Sequence, residues 1–191
     1  MKKINTLAAA LLVAGTSFAQ TTWTLDKAHT RITFNVTHLA VSEVDGGFKD
    51  FEGTVVSKSD DFDGADVTFT AKTASIDTDN EKRDADLKSA NFFEAEKYPE
   101  LTFKGKLAKD AGKYKLKGDF TMHGVTKPVE FEVAYNGKME TGRGTKAGFK
   151  LTGKVNRKDY GLTWDHKTPG GELVVSDMVE IICKIEADKK A

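Results

Sequence analysis

The residues of this sequence that could carry chemistry are few, and the first to consider are the histidines. They are His29, His38, His123 and His166. None has the close spacing of a metal-binding pair, and no acidic ligand lies in register, so the sequence predicts no metal centre. The chain also has no G-x-S-x-G motif, no arguable Cys/His pair and no paired carboxylates. We therefore predict no catalytic residue and expect a protein that is not an enzyme.

Arg157 is the charged residue whose position is unexpected. In the segment FKLTGKVNR, every second residue from Phe149 through Leu151, Gly153 and Val155 forms an apolar row, and Arg157 continues this row. A guanidinium keeps its charge when it is buried, so it needs partners. The arginine therefore faces either a carboxylate of the protein or a polar group of a ligand.

The elements that must position these residues are strands, because apolar and polar residues alternate along most of the chain. We count about nine strand candidates, and the glycine-containing segments 109–113 and 135–138 predict hairpin turns. The segment DNEKRDADLKSANFF lacks the alternation and predicts a helix from about Glu81 to Ser89. A second, shorter helical turn is predicted in residues 39–47.

Many antiparallel strands with one apolar face each indicate an all-β fold, either a sandwich or a barrel. The periodicity does not separate a filled core from the interior of a barrel of about eight strands, which can hold a small ligand. Gly105, Gly118 and Gly153 lie on inward rows. They leave room inside or mark strand bends, which mildly favours a cavity.

The N-terminal residues 1–19 have the three parts of a secretory signal peptide, with predicted cleavage near Ala19. The remaining domain, 20–191, is expected to be periplasmic or secreted. Its formal net charge would be −2, since the leader contains two lysines and no acidic residue. We therefore expect no binding to nucleic acid, and no other apolar run is long enough for stable membrane insertion.

Cys183, the single cysteine, is predicted to be buried and inert.

Five stretches in order make the chain resemble the YceI-like family of exported bacterial proteins. They are WTLDKAHTRITFNVTHL, GGFKDFEGTV, NEKRDADLKSANFFEAEKYPELTF, GDFTMHGVTKPVEFEV and NRKDYGL. The resemblance covers roughly residues 22–187, with Thr30 where the family usually has serine. It implies a lipocalin-like antiparallel up-and-down barrel of about eight strands with one or two short helices. It also implies an interior that binds polyisoprenoids, isoprenoid quinones or fatty-acid derivatives, and it allows a homodimer.

With this resemblance, the inward residues are predicted to line a ligand cavity, although a filled core is the simpler interpretation of the residues alone. The predicted tail-lining residues are Ile32, Phe34, Val36, Phe69, Phe103, Leu116, Phe120, Phe131, Phe149, Leu151, Val155 and Ile181. We expect a non-catalytic binding protein for transport or storage, with no cofactor other than a bound polyisoprenoid or quinone-like lipid. The alternatives are an enzyme acting on a lipid or quinone head group and a ligand-free, stress-related interaction module.

His38 and Arg157 end inward rows next to loops, so they are the candidate contacts for a ligand head group. The alternative for Arg157 is a structural ion pair that pins the helix to the barrel, and we expect a carboxylate before a ligand. The predicted partners are Asp84, Asp86 and Asp159.

Two further segments have open interpretations. Residues 61–66 resemble the start of a calcium loop but lack its remaining ligands, so they predict a solvated turn. Tyr160 and Trp164 either close the barrel mouth or pack at its rim.

Overall fold

The computed structural model describes residues 20–59 and 61–190, so the predicted signal peptide lies outside the described residues. Within them the chain forms one α-helix, α1 (Glu81–Lys88), and two 3₁₀ helices, Thr73–Ser75 and Arg157–Tyr160. The strands are β1 (Thr21–Leu25), β2 (Arg31–His38), β3 (Ser42–Phe48), β4 (Phe51–Ser57), β5 (Asp66–Lys72), β6 (Ile76–Asp77), β7 (Glu100–Asp110), β8 (Lys113–Met122), β9 (Val125–Thr141), β10 (Gly144–Asn156) and β11 (Met178–Lys189).

These eleven strands form one antiparallel sheet that closes on itself as eight long, partly interrupted strands. Strands β1 and β2 continue one another, because β11 pairs with both: Lys189 lies opposite Trp23, and Lys184 lies opposite Arg31. In the same way β3 continues into β4, and β5 into β6. Each long strand pairs with the next in sequence, and the first pairs with the last. The predicted up-and-down barrel of about eight strands is therefore confirmed.

Helix α1 confirms the predicted helix to within one residue at its C-terminal end. It begins after Asn80, whose side-chain oxygen accepts a hydrogen bond of 3.0 Å from the backbone N–H of Arg83. The predicted hairpin turn at 109–113 is also confirmed, since Ala111 and Gly112 have φ values of 46° and 81° between β7 and β8.

The second predicted hairpin turn, at 135–138, is wrong. Strand β9 runs through these residues, and the chain turns later, at residues 142–143. Gly137, with φ of 112°, lies opposite Gly148 where the register of β9 and β10 shifts, so it belongs to a β-bulge. A backbone that tolerates positive φ suits a bulge as well as a turn, and for this reason the local sequence was misleading.

The second predicted helical turn, in residues 39–47, is also wrong. Leu39 and Ala40 have φ values of 52° and 56° in the tight turn between β2 and β3. Strand β3 then pairs with β2, and the Asn35 side chain donates hydrogen bonds to the carboxylates of Glu43 and Asp45. This cross-strand pairing outweighs the local helical preference.

None of the helices in residues 20–59 and 61–190 is long and apolar enough to cross a membrane.

Candidate functional site

A cavity of about 430 Å³ lies inside the barrel, and apolar side chains form most of its wall. All twelve residues predicted as lining lie on this wall, as do His38 and Arg157. Pockets that hold small organic ligands commonly have volumes of about 300–1,000 Å³. The interior is therefore partly open, whereas the roles of these residues towards a ligand stay predictions.

Glycines on the inward rows lie beneath aromatic rings. The contacts join Phe34 to Gly46, Phe103 to Gly105 and Gly118, and Phe131 to Gly153. A Cβ atom added at Gly153 would lie 2.3 Å from Cδ1 of Phe131, so the ring occupies the place of the missing side chain. The space that a side chain would fill at these glycines is therefore occupied by the rings. The glycines let large rings lie against the sheet, which keeps the centre of the barrel open.

One end of the barrel is sealed by Phe62, which is 1% exposed. Its ring centroid lies 5.1 Å from that of Phe149, 5.2 Å from Trp23 and 5.5 Å from Tyr135. Residues 61–66 do form a turn, but the expectation of a wholly solvated turn is wrong. Phe62 has a φ of 63°, and its side chain points into the barrel, where the apolar cluster holds it.

Hydrogen bonds fix the turn at residues 61–66, which contains Phe62, to the neighbouring strand β7. Gly64 N–H donates to Leu107 O (2.8 Å), and Leu107 N–H donates to Ala65 O (2.9 Å). The carboxylate of Asp63 accepts from the backbone N–H of Lys109 at 2.9 Å. These bonds hold Phe62 at this end of the barrel, where it packs against Phe149 of the cavity wall and closes the end.

The opposite end of the barrel lies at His38, because Trp23 and His38 are at opposite ends of the long strand β1–β2. We call this end the mouth, since the half-buried His38 and the exposed Asp86 both lie on the cavity wall there. His38 pairs with Val175 through an isolated bridge, so residues 162–176 lie against the mouth. Trp164 lies on the wall, with its ring centroid 5.3 Å from that of Phe92. These contacts bring two separate segments together at the rim.

Tyr160 and Trp164 differ in whether they lie on the cavity wall. Tyr160 is 2% exposed and packs edge-on against Phe120, with the ring centroids 5.5 Å apart. Trp164 is half-buried on the cavity wall. Tyr160 is therefore a packing residue of the rim, whereas Trp164 contributes to the wall at the mouth.

Arg157 is 3% exposed, and its guanidinium is fully engaged within the protein. Nε donates to Ser176 O (3.0 Å), and Nη1 donates to Leu162 O (2.7 Å). Nη2 donates to the carboxylate of Asp177 (3.1 Å) and to Val175 O (3.4 Å). Burial lowers the pKa of Arg157, and the Asp177 carboxylate opposes this shift. Arg157 therefore ties the segment that precedes β11 to the end of β10.

The structural ion pair of Arg157 was expected, but the predicted partners are wrong: they were Asp84, Asp86 and Asp159. The carboxylate that it contacts in the described residues is Asp177. Met178 pairs with Asn156 across β10 and β11, which places Asp177 next to Arg157. Asp159 is exposed, Asp84 accepts hydrogen bonds from Thr78, and Asp86 accepts one from Asn91. No sequence pattern pairs residues 157 and 177, because they meet only through the strand pairing.

Arg83 is a residue on the cavity wall that the sequence reasoning missed. It lies in α1, outside the alternating strands, so the period-two pattern gives no signal there. Its Nε donates to Thr78 Oγ1 (2.8 Å), and its Nη2 donates to Thr78 O (2.7 Å). Within residues 20–59 and 61–190, protein acceptors bind two of the three side-chain nitrogens of Arg83 but all three of Arg157.

Cys183 lies on the wall and is buried, and burial raises the pKa of its thiol to about 12. A thiol with so high a pKa is a poor nucleophile at neutral pH. The position agrees with the predicted inert side chain.

A charged cluster lies at the closed end of the barrel, around Lys146. Its Nζ lies 2.8 Å from both Asp26 and Glu186 and 2.7 Å from Asp188, and His29 Nδ1 lies 2.8 Å from Asp26. Hydrogen bonds from Lys146 and His29 hold the pKa of Asp26 well below its ordinary value. One carboxylate oxygen each of Asp26 and Glu186 and one ring nitrogen of His29 lie within 4.8 Å of one another, a spacing that also occurs in metal sites. Because the Lys146 ammonium contacts all three carboxylates, the cluster is an ion-pair network.

A closed up-and-down barrel with an apolar interior, one sealed end and one mouth defines the lipocalin-like class of β-barrels. Residues 23–187 match the YceI-like domain. The chain therefore belongs to the YceI-like family, as the five sequence stretches predicted.

Relatives and solved structures agree with this assignment. A UPF0312 protein of Pseudomonas putida strain GB-1 is 35% identical over 177 residues, which cover 90% of each chain. The crystal structure of the Campylobacter jejuni YCEI protein is 35% identical, with a TM-score of 0.68 over 87% of this chain and 97% of that one. A polyisoprenoid binding domain from Saccharophagus degradans has a TM-score of 0.65 over 88% and 98% of the two chains. At 12% identity, this last likeness concerns the fold alone.

Proposed function

We propose that this protein is a non-catalytic, exported binding protein that holds a long apolar ligand inside its barrel for transport or storage. The ligand class is a polyisoprenoid, an isoprenoid quinone or a fatty-acid derivative. The observation that carries the proposal is the cavity itself, with an apolar wall, a floor closed by Phe62 and a mouth at His38. The S. degradans domain, described as binding polyisoprenoids, has the same fold, so the fold is compatible with this role.

The physical basis of the proposal is the transfer of an apolar chain out of water. Each buried methylene contributes about 0.8 kcal/mol, so about ten of them contribute on the order of 8 kcal/mol before ordering costs are subtracted. The tail would therefore supply most of the affinity, and a few polar groups at the mouth need only orient the head. The rings that lie against the inward glycines leave the lumen free for such a chain.

The alternative of an enzyme that acts on the head group has less support. In such an enzyme Arg157 would bind the anion. The guanidinium nitrogens of Arg157, however, all donate to protein acceptors. His38 alone supplies no acid–base pair.

The test is a titration with the neutral fluorescent probe N-phenyl-1-naphthylamine, which reports an apolar site without requiring a head group. Leu151→Trp fills the cavity from β10, and Lys150→Trp places the same side chain on the exposed face of the same strand. We expect the wild type and K150W to bind the probe and L151W to bind it at least about tenfold more weakly. Circular dichroism verifies that both variants are folded, because overpacking costs about 1–3 kcal/mol. A wild type that does not bind the probe, or equal binding by L151W, would contradict the proposal.

A further inference from the structure

The mouth of the cavity contains one arginine whose charge is not neutralised by direct contact with a carboxylate. Arg83 forms no ion pair with any carboxylate of residues 20–59 and 61–190, and its Nη1 donates no hydrogen bond within this part of the chain. Arg157 differs, since each of its side-chain nitrogens has a protein acceptor. An arginine with a free donor on the wall of an apolar cavity is suited to bind an anion.

Thr78 holds the Arg83 side chain in place. It accepts from Nε through its hydroxyl and from Nη2 through its carbonyl, and it is itself 5% exposed. The Thr78 hydroxyl in turn donates to Asp84 Oδ1 at 2.5 Å. One edge of the guanidinium is thus fixed by the protein, which leaves Nη1 positioned in advance for a further acceptor.

Asp84 and Asp86, acidic residues near Arg83 in helix α1, accept hydrogen bonds from other residues. Asp84 accepts from both the backbone N–H and the hydroxyl of Thr78. Asp86 also lies on the wall, but it is exposed and accepts from the Asn91 side chain at 2.7 Å. Neither carboxylate contacts the Arg83 guanidinium directly, so Nη1 stays available to an anion.

We propose that Arg83 makes the barrel selective for ligands with an anionic head, a carboxylate or a phosphate, through a charge-assisted hydrogen bond from Nη1. This inference rests on the proposed function, because the tail must lie in the cavity for the head to reach Arg83. It assigns the head-group contact to the helix α1.

The experiment compares three competitors with the same apolar chain, dodecanoate, dodecyl phosphate and dodecanol, in displacing the neutral probe at about pH 8, where the acids are ionised. We expect the wild type to bind both anions at least about tenfold more tightly than the alcohol. Arg83→Gln should lose this preference while it keeps its affinity for dodecanol and for the probe. The matched control Lys82→Gln removes an exposed cation from the same helix and should keep the preference. Inorganic phosphate should not displace the probe, because it has no tail.

Several outcomes separate this inference from the proposed function. Equal affinity of the wild type for dodecanoate and dodecanol, or an unchanged preference in R83Q, would overturn the role of Arg83 and leave the binding function intact. Displacement of the probe by inorganic phosphate would also overturn it, because the site would then be a simple anion site. Failure of the wild type to bind the probe or any competitor would overturn both.

A second measurement does not depend on the stability of R83Q. The preference of the wild type for dodecanoate should decrease as sodium chloride is raised, whereas the affinity for dodecanol should not decrease. A preference that does not respond to salt would contradict a charge-assisted contact.

Discussion

Arg157 and Asp177 form an ion pair of 3.1 Å that joins the end of β10 to the residue just before β11. The arginine also donates to the backbone carbonyls of Leu162, Val175 and Ser176, so it holds the irregular segment that borders the mouth. The charged residue at the end of an apolar strand row is thus a structural anchor of the rim.

The first prediction concerns this anchor. Arg157→Met should lower the free energy of unfolding by about 2–4 kcal/mol, because three backbone carbonyls lose a donor and the Asp177 carboxylate keeps, among the described residues, only its contact with Lys158. Urea denaturation measures the change. Arg143→Met, at an exposed hairpin tip, is the matched control and should change stability by less than about 0.5 kcal/mol. Equal stability of the two variants would show that Arg157 is not an anchor.

The second prediction concerns the floor. Phe62→Ala should cost about 3–5 kcal/mol of stability, because it removes a buried ring from an aromatic cluster. It should also speed release of the bound probe, which stopped-flow fluorescence measures. Phe62→Leu keeps most of the volume and should have a smaller effect on both quantities. A release rate that is unchanged in F62A would mean that the floor does not seal the cavity.

The third prediction concerns the glycines beneath the rings. Gly153→Ala places a methyl group 2.3 Å from Phe131 Cδ1, so the ring must turn into the lumen. We expect weaker probe binding by several-fold and a loss of stability of about 1–3 kcal/mol. Gly142→Ala is the control, because a Cβ there meets no atom within 4 Å. Probe binding as strong in G153A as in G142A would contradict the role of the ring in shaping the cavity.

The fourth prediction concerns acid stability. The pKa of Asp26 is held below its unfolded value of about 3.9, so its contribution is complete above that pH and is lost as the pH falls below it. Asp26→Asn should therefore lower Tm at neutral pH, and its difference from the wild type should shrink below about pH 4. Glu52→Gln, which removes an exposed carboxylate from β4, is the control and should change Tm little at any pH. A Tm difference in D26N that does not depend on pH would argue against the ion-pair network.

The sequence predicted which strand residues face the interior of the barrel, because alternation in a strand is a local property. For Phe103 and Leu151, for example, the period-two pattern alone predicts the inward direction that the structure shows. Phe62 and Arg83 were missed because they lie in a turn and a helix, where the direction of a side chain depends on packing with distant strands. The partner of Arg157 was missed for a related reason, since Asp177 reaches it only through the register of β10 and β11.

The central claim is that the cavity holds a long apolar ligand, and the most direct measurement is to identify what the protein carries. The protein is expressed from its full sequence in a bacterium, purified without detergent, extracted with organic solvent and analysed by mass spectrometry. We expect an isoprenoid or other long-chain lipid at about one molecule per chain in the wild type and in K150W, and much less in L151W. Wild-type protein that yields no lipid, and that takes up none when polyisoprenoids, quinones and fatty acids are added, would contradict the claim.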